Sequence, residues 1–176
     1  NTFGFLLWSL SGSFKILSLS GFLSILTGIT EVSAVLLLGL LIDAALNSTI
    51  EDPLSNNILL FSAGLLFFLL IRPIIFGSSS YMQSVIVSPN IFNLVLSRIH
   101  RWCIGHSILF FENDFAGRIA QKEMQTARAV TDVVVEILQT VLFALASVIG
   151  AALMLTSVNI TLTFALLFWL VCYFFL

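Results

Sequence analysis

From Phe14 to Ala45 the sequence runs for 32 residues with only three charges, Lys15, Glu31 and Asp43. If helical, such a run measures about 48 Å, against a hydrocarbon core of about 30 Å. In lipid every backbone N–H and C=O must be bonded inside the protein, so an isolated apolar run of this length reads as a transmembrane helix. This one has to tilt or protrude. A second run, Ile58 to about Phe76, is broken only by Arg72-Pro73. A third, Ile137 to Leu155, carries no charge, and a fourth begins at Leu162. Composition agrees. Charged residues are 9% of the chain and hydrophobic ones 59%, where soluble domains average about 25% charged. The expected class is an all-α membrane protein whose long transmembrane helices extend into the cytoplasm.

The remaining segments fit around these runs. Thr2 to Leu10 is apolar, holds Trp8 and is too short to span. An interfacial helix with Trp8 at headgroup level accounts for it. Asn47 to Asn57 is a polar loop without Lys or Arg. Gly77 to His106 is mixed and reads as the second helix leaving the bilayer, with a kink at Pro89. Phe110 to Asp132 is the longest polar interval, and holds seven of the sixteen charged side chains, with Glu136 just beyond. Beyond it Ile119, Val130, Val133, Val134, Ile137, Leu138 and Val141 recur at helical spacing, which predicts an amphipathic helix. On that helix Arg128 and Asp132 stand four residues apart and can pair. Arg98, Arg101, Arg118, Lys122 and Arg128 all lie between residues 77 and 130. The positive-inside rule places that region, and the N-terminus with Lys15, in the cytoplasm. No basic block suggests nucleic acid. Cys103 and Cys172 are far apart and form no C-x-x-C pair, so a disulfide is not expected. Asn1 in place of Met, and an end at Leu176 inside an apolar run, lead us to expect a piece of a longer protein.

At the polar interval the sequence resembles a known family. His106-Ser-Ile-Leu-Phe-Phe-Glu-Asn-Asp-Phe-Ala-Gly-Arg-Ile-Ala, followed by Met124-Gln-Thr-Ala-Arg and Asp132, is similar to the first intracellular loop of type I ATP-binding-cassette (ABC) exporters. Leu41-Ile42-Asp43 matches the end of that family's first span. The wording FFENDFAGRIA looks most like bacterial multidrug- and lipid-exporter half transporters. The resemblance implies the N-terminal part of the exporter's transmembrane domain: an elbow helix at about 2–10, a first span at about 14–46, and a second at about 57–106 with its cytoplasmic extension. A coupling helix at about 111–117, a third span at about 119–156 and a truncated fourth at about 160–176 follow. It implies a bacterial inner-membrane location. It also implies a partner ATP-binding domain, fused downstream or separate, and a second half transporter as homo- or heterodimer. ATP and Mg would bind in that missing domain. The chain itself has no G-x-x-x-x-G-K-[ST] and is not expected to hydrolyse ATP alone.

In this resemblance Phe111, Glu112, Asn113, Asp114, Phe115, Gly117 and Arg118 would form the surface that meets the ATPase domain. Each also has a local reading. Phe110, Phe111 and Phe115 can pack the hairpin tip, Asn113 and Asp114 can cap the next helix, and Gly117 can close the short helix with positive φ. Arg118 and Lys122 can simply be solvated. Glu31 and Arg72 lie about 16 and 15 residues from the outer loop, so both fall roughly 23 Å deep and can pair across an antiparallel hairpin. Such a pair is either structural or a substrate-contacting gate. His100 and His106 are six apart, which is not a metal-ligand spacing on a helix. Two other classes stay open from the residues alone: an ion-gradient-driven secondary transporter, and a helical membrane receptor with a cytoplasmic signalling hairpin.

Overall fold

A computed structural model of the chain describes residues 2–47, 58–106 and 116–175. Among these, all regular structure is helical. The elements are α1 (Thr2–Leu10), α2 (Phe14–Asn47), α3 (Ile58–Leu66), α4 (Arg72–Tyr81), α5 (Ser88–Ile104), α6 (Ala116–Glu136), α7 (Leu142–Val158) and α8 (Ile160–Phe175). Phe14–Leu46, Ile58–Ile104 and Gly117–Val158 are each long and apolar enough to cross a membrane. The chain is an all-α membrane protein. It divides into two compact units, one of Asn1–Phe22 with Ser79–Val141, the other of Leu23–Ser78 with Leu142–Leu176.

Single π-helical turns join α3 to α4 (Phe67–Ile71), α4 to α5 (Met82–Val87) and α6 to α7 (Ile137–Val141). The first two explain how the helix passes its prolines. Arg72 N–H bonds Phe67 O, and Ser88 N–H bonds Gln83 O, each five residues back. Pro73 and Pro89 follow directly. A proline ring strikes the carbonyl four residues back and has no N–H to offer it. Widening the preceding turn moves that carbonyl aside, and the helix continues without a break. No proline follows the third π turn, and no residue there accounts for it.

The first unit packs as a soluble protein does. Val87 at the end of the preceding π turn and Ile91, Val95 and Cys103 of α5 are buried, and α6 buries Glu123, Ala127, Val130 and Val134, both sets at three- and four-residue spacing with its multiples. These stripes face each other. Val133, Ile137 and Val141, which share the apolar periodicity, are exposed. Arg128 and Asp132 are exposed and form no ion pair with each other. Their order along the helix, base before acid, is the weaker one, and exposed pairs contribute little.

The second unit packs through small residues, as helices in lipid do. A methyl added to Gly28 would lie 2.8 Å from the Phe143 carbonyl oxygen and 2.8 Å from Ala146 Cβ. One added to Gly150 would lie 2.9 Å from Val32 Cγ2. So α2 and α7 cross closely, with glycines on both sides. Ser24, Thr27 and Thr30 are buried on α2, and Thr27 and Thr30 return their hydroxyls to the Ser24 and Leu26 carbonyls at 2.7 Å. The break between α7 and α8 is Asn159. Its Oδ1 accepts the Thr161 N–H at 2.9 Å, which caps α8, while its own N–H bonds Leu155 O at 2.8 Å. Almost no residue in the apolar stretches of α3 and α7 is buried, as expected of lipid-facing surface.

The α2–α7 crossing yields a contrast between two glycines. Gly28→Ala meets a backbone carbonyl that cannot swing away and should cost about 1–3 kcal/mol. At Gly39 nothing lies within 4 Å of the new methyl, so Gly39→Ala should be neutral or stabilise by about 0.5–1 kcal/mol through helix propensity. Thermal unfolding in detergent reads both. Equal midpoints for the two variants would refute the close crossing.

Candidate functional site

Two groups of polar side chains stand out, one in each unit. In the second unit Arg72 Nη2 donates to Glu31 Oε2 at 2.9 Å and to Oε1 at 3.2 Å. Arg72 is the first residue after the Phe67–Ile71 π turn, so the wider turn sets the direction in which its side chain leaves the helix. The guanidinium carbon also lies 5.7 Å from the centre of the Phe76 ring, one helical turn on. The structure thus brings together the two charges found inside the apolar runs. Their side chains are 40% and 38% exposed for Glu31 and Arg72, so both remain reachable from outside the protein.

In the first unit Arg98 binds the end of α1. Its Nη1 donates to Trp8 O and Ser9 O at 2.5 and 2.8 Å, and its Nη2 to Ser11 O at 2.5 Å. These carbonyls lie where the helix runs out of intrahelical donors, and a cation there also meets the negative end of the helix dipole. The chain makes room by turning at Gly12, with φ of 94°. The guanidinium lies 6.0 Å from the Trp8 ring centre as well. Sequence reasoning counted Arg98 only towards orientation. No local signal could have found this contact, since its partners are about 90 residues away.

Next to it on α5, His100 Nδ1 lies 3.1 Å from Glu123 Oε2 of α6. Glu123 is nearly buried, and it also faces Cys103. Burial first, then a hydrogen bond to Glu123 and its negative charge, push the Cys103 thiol from the ordinary 9.0 up to about 11. Both residues belong to the amphipathic part of the chain, beyond the apolar run that ends near Phe76. A signal for Glu123 was present, because it shares a helical face with Ala127, Val130 and Val134. His106 meets the Trp102 ring edge-on, with ring centres 4.3 Å apart. Among the described residues no group of three His, Cys, Asp or Glu could hold a metal.

The polar tip is only partly in view. Phe110, Phe111, Glu112, Asn113, Asp114 and Phe115 lie outside the described residues. Gly117 and Arg118 are exposed in the first described turn of α6. Gly117 has no positive φ, so it does not close a short helix; the α6 helix includes it.

Two outcomes follow from this geometry. Glu31→Arg or Arg72→Glu alone leaves like charges facing each other in an apolar run. Each should lower stability by roughly 2.5–3.5 kcal/mol, the insertion cost of one unpaired charge, and the double exchange should restore expression and melting temperature. Lack of rescue would refute the pairing. Cys103 should titrate with a midpoint near pH 11 in rapid thiol labelling. Glu123→Gln should lower that midpoint without returning it to 9.0, since burial is the larger cause. Because the folded thiol titrates above the unfolded one, its contribution to stability is whole below about pH 9 and is lost as pH rises towards 11.

Comparison with known proteins gives one informative similarity. Over 74 residues, 42% of this chain, the sequence is 30% identical to an uncharacterised ABC transporter ATP-binding protein of Haemophilus influenzae. The aligned stretch spans only 12% of that relative's length. No family model matches the chain. No solved structure matches it either. The chain is therefore a helical membrane protein with a partial similarity to an ABC transporter protein.

Proposed function

We propose that this chain is the membrane-spanning part of an ATP-driven exporter of the type I ABC class, moving an amphipathic, lipid-like or drug-like substrate out of the cytoplasm by alternating access. The observation that carries this reading is helix length. Ile58–Ile104 and Gly117–Val158 run for 47 and 42 residues, about twice the ~20 residues that cross a bilayer. The surplus is the amphipathic pair α5 and α6, not more lipid-facing helix. A transporter worked from a soluble motor needs such extensions, and a gradient-driven one does not. The similarity to an ABC transporter ATP-binding protein supports the same reading.

In this proposal Phe111, Glu112, Asn113, Asp114, Phe115, Gly117 and Arg118 seat on an ATPase domain, which holds ATP and Mg and is fused downstream or separate. The phenylalanines act as apolar anchors at a small interface. ATP can shift the membrane part between states only if contacts at this tip differ between them. A second half transporter, identical or related, completes the translocation path, and the bacterial inner membrane is the expected setting. Glu31 and Arg72 are its intramembrane ion pair, structural or gating. That pair is also the one observation that favours a gradient-driven transporter, since ionisable residues within spans mark ion pathways.

The test uses the full-length protein in proteoliposomes. Export of an amphipathic dye should require ATP and persist when ionophores collapse the ion gradients. Phe115→Ala should leave basal ATP hydrolysis within about threefold and lower export by tenfold or more, as truncating an anchor costs about 2 kcal/mol. Export that needs a gradient and ignores ATP would replace this reading with the second one.

A further inference from the structure

Pro89 leaves one backbone carbonyl without a helical donor. In a helix a carbonyl oxygen receives the N–H four residues on, or five on in a π turn. For Ser84 O the first is Ser88, whose N–H goes to Gln83 O, and the second is Pro89, which has no N–H. The nearby Asn90 side chain bonds Ile86 O instead, at 2.7 Å. Ser84 lines a cavity of about 390 Å³, together with Ser88 and Phe92 of α5 and Arg128, Thr131 and Asp132 of α6. That volume falls within the ~300–1,000 Å³ typical of small-ligand sites. All of these residues belong to the first unit.

The cavity wall carries both signs of charge. Ionised Asp132 and the Ser84 carbonyl only accept hydrogen bonds, Arg128 only donates, and the serine hydroxyls do both. Thr131 gives its proton to the Ala127 carbonyl at 2.8 Å, so it too can only accept from a ligand. Arg128 and Asp132 stand one helical turn apart, where Cβ atoms are about 5–6 Å from each other, yet they do not bond each other. A ligand that answers both has an oxyanion and, a short link away, an ammonium with N–H bonds to donate. An α-amino acid holds its charges one carbon apart; a phosphoethanolamine group holds them two carbons and an oxygen apart, which suits the wider spacing. Val85, beside Ser84, and Val133, beside Asp132, are both exposed, so apolar surface reaches the edge of the cavity. The uncharged run that starts at Ile137 begins five residues past Asp132, about 7.5 Å along a helix. Headgroup layers are about 5–7.5 Å thick on each side of the hydrocarbon, so lipid headgroups and soluble compounds both have access.

We propose that this cavity binds a phosphoethanolamine group, carried by a membrane lipid or free in solution, with the phosphate on Arg128 and the primary ammonium on Asp132 and the Ser84 carbonyl. Phe92 supplies the apolar wall for the two-carbon link. A trimethylated ammonium has no N–H to give the two acceptors, so the site selects the primary amine over choline. The bound ammonium takes the place of the donor that Pro89 lacks. This site is separate from the polar tip and does not depend on how transport is driven.

Native mass spectrometry of the full-length protein in detergent tests it, with phosphatidylethanolamine, phosphatidylcholine and soluble O-phosphoethanolamine as probes. The ethanolamine group should bind at least about tenfold more tightly than the choline one, the worth of one charged hydrogen bond. Asp132→Asn should abolish that preference, whereas Arg128→Gln should weaken both lipids alike by about tenfold. Both side chains are exposed, so folding is not at issue. Pro89→Ala supplies the missing N–H to Ser84 O and should reduce the preference while the melting temperature holds or rises. Displacement of the lipid by O-phosphoethanolamine identifies the free compound as the ligand, and its absence identifies the lipid. Equal binding of the two lipids with no binding of O-phosphoethanolamine, or a preference that survives Asp132→Asn, would overturn the proposal.

Discussion

A backbone amide left unbonded in hydrocarbon costs several kcal/mol, and the organisation of this chain follows from avoiding that cost. The helices are long because each interruption would expose such groups. Where prolines occur, at Pro73 and Pro89, the chain does not break; it widens one turn and continues. At two of its breaks the loose ends are bonded. Asn159 supplies a side-chain oxygen to the start of α8, and Arg98 supplies three donors to the end of α1.

Two styles of packing coexist, one in each unit. In the first, branched side chains such as Val87, Ile91 and Val134 are withdrawn from water, and burial itself drives association. In the second, lipid is as apolar as any side chain, so burial offers little. Association there relies on close backbone approach at Gly28 and Gly150 and on the Glu31–Arg72 bond. The same sequence can carry both because ten of its sixteen charged residues lie in α5, α6 and the tip between them.

Much of the helical layout was legible. Apolar run length marks spans regardless of tertiary context, and counting 1.5 Å per residue from a shared loop suffices to align Glu31 with Arg72. The buried face of α6 could be read in part, since its period is local, though periodicity alone did not tell Val134, which is buried, from Val133, which is not. What could not be read was set by distant partners or by backbone register. The Arg98 contact joins residues about 90 apart, and the π turns depend on which carbonyl a proline would strike. The Gly28 crossing did leave a trace, in small residues at three- and four-residue spacing from Ser20 to Gly28, but among so many apolar residues this trace is faint. Gly117 was misjudged for a different reason. Glycine permits a turn without requiring one, and only the surrounding bonding decides.

Apart from its contact with the Trp8 ring, the grip of Arg98 on α1 makes little use of the side chains α1 carries, because every atom it hydrogen-bonds is a carbonyl oxygen. Substitutions along Phe5 to Leu10 leave those acceptors in place. The same freedom does not extend to Gly12, whose φ of 94° suits few other residues, nor to Arg98, whose fork of donors lysine cannot reproduce. The attachment of the first helix is thus fixed at two positions and open to drift at the rest, so related chains could exchange one apolar N-terminal segment for another without redesigning the helix that holds it.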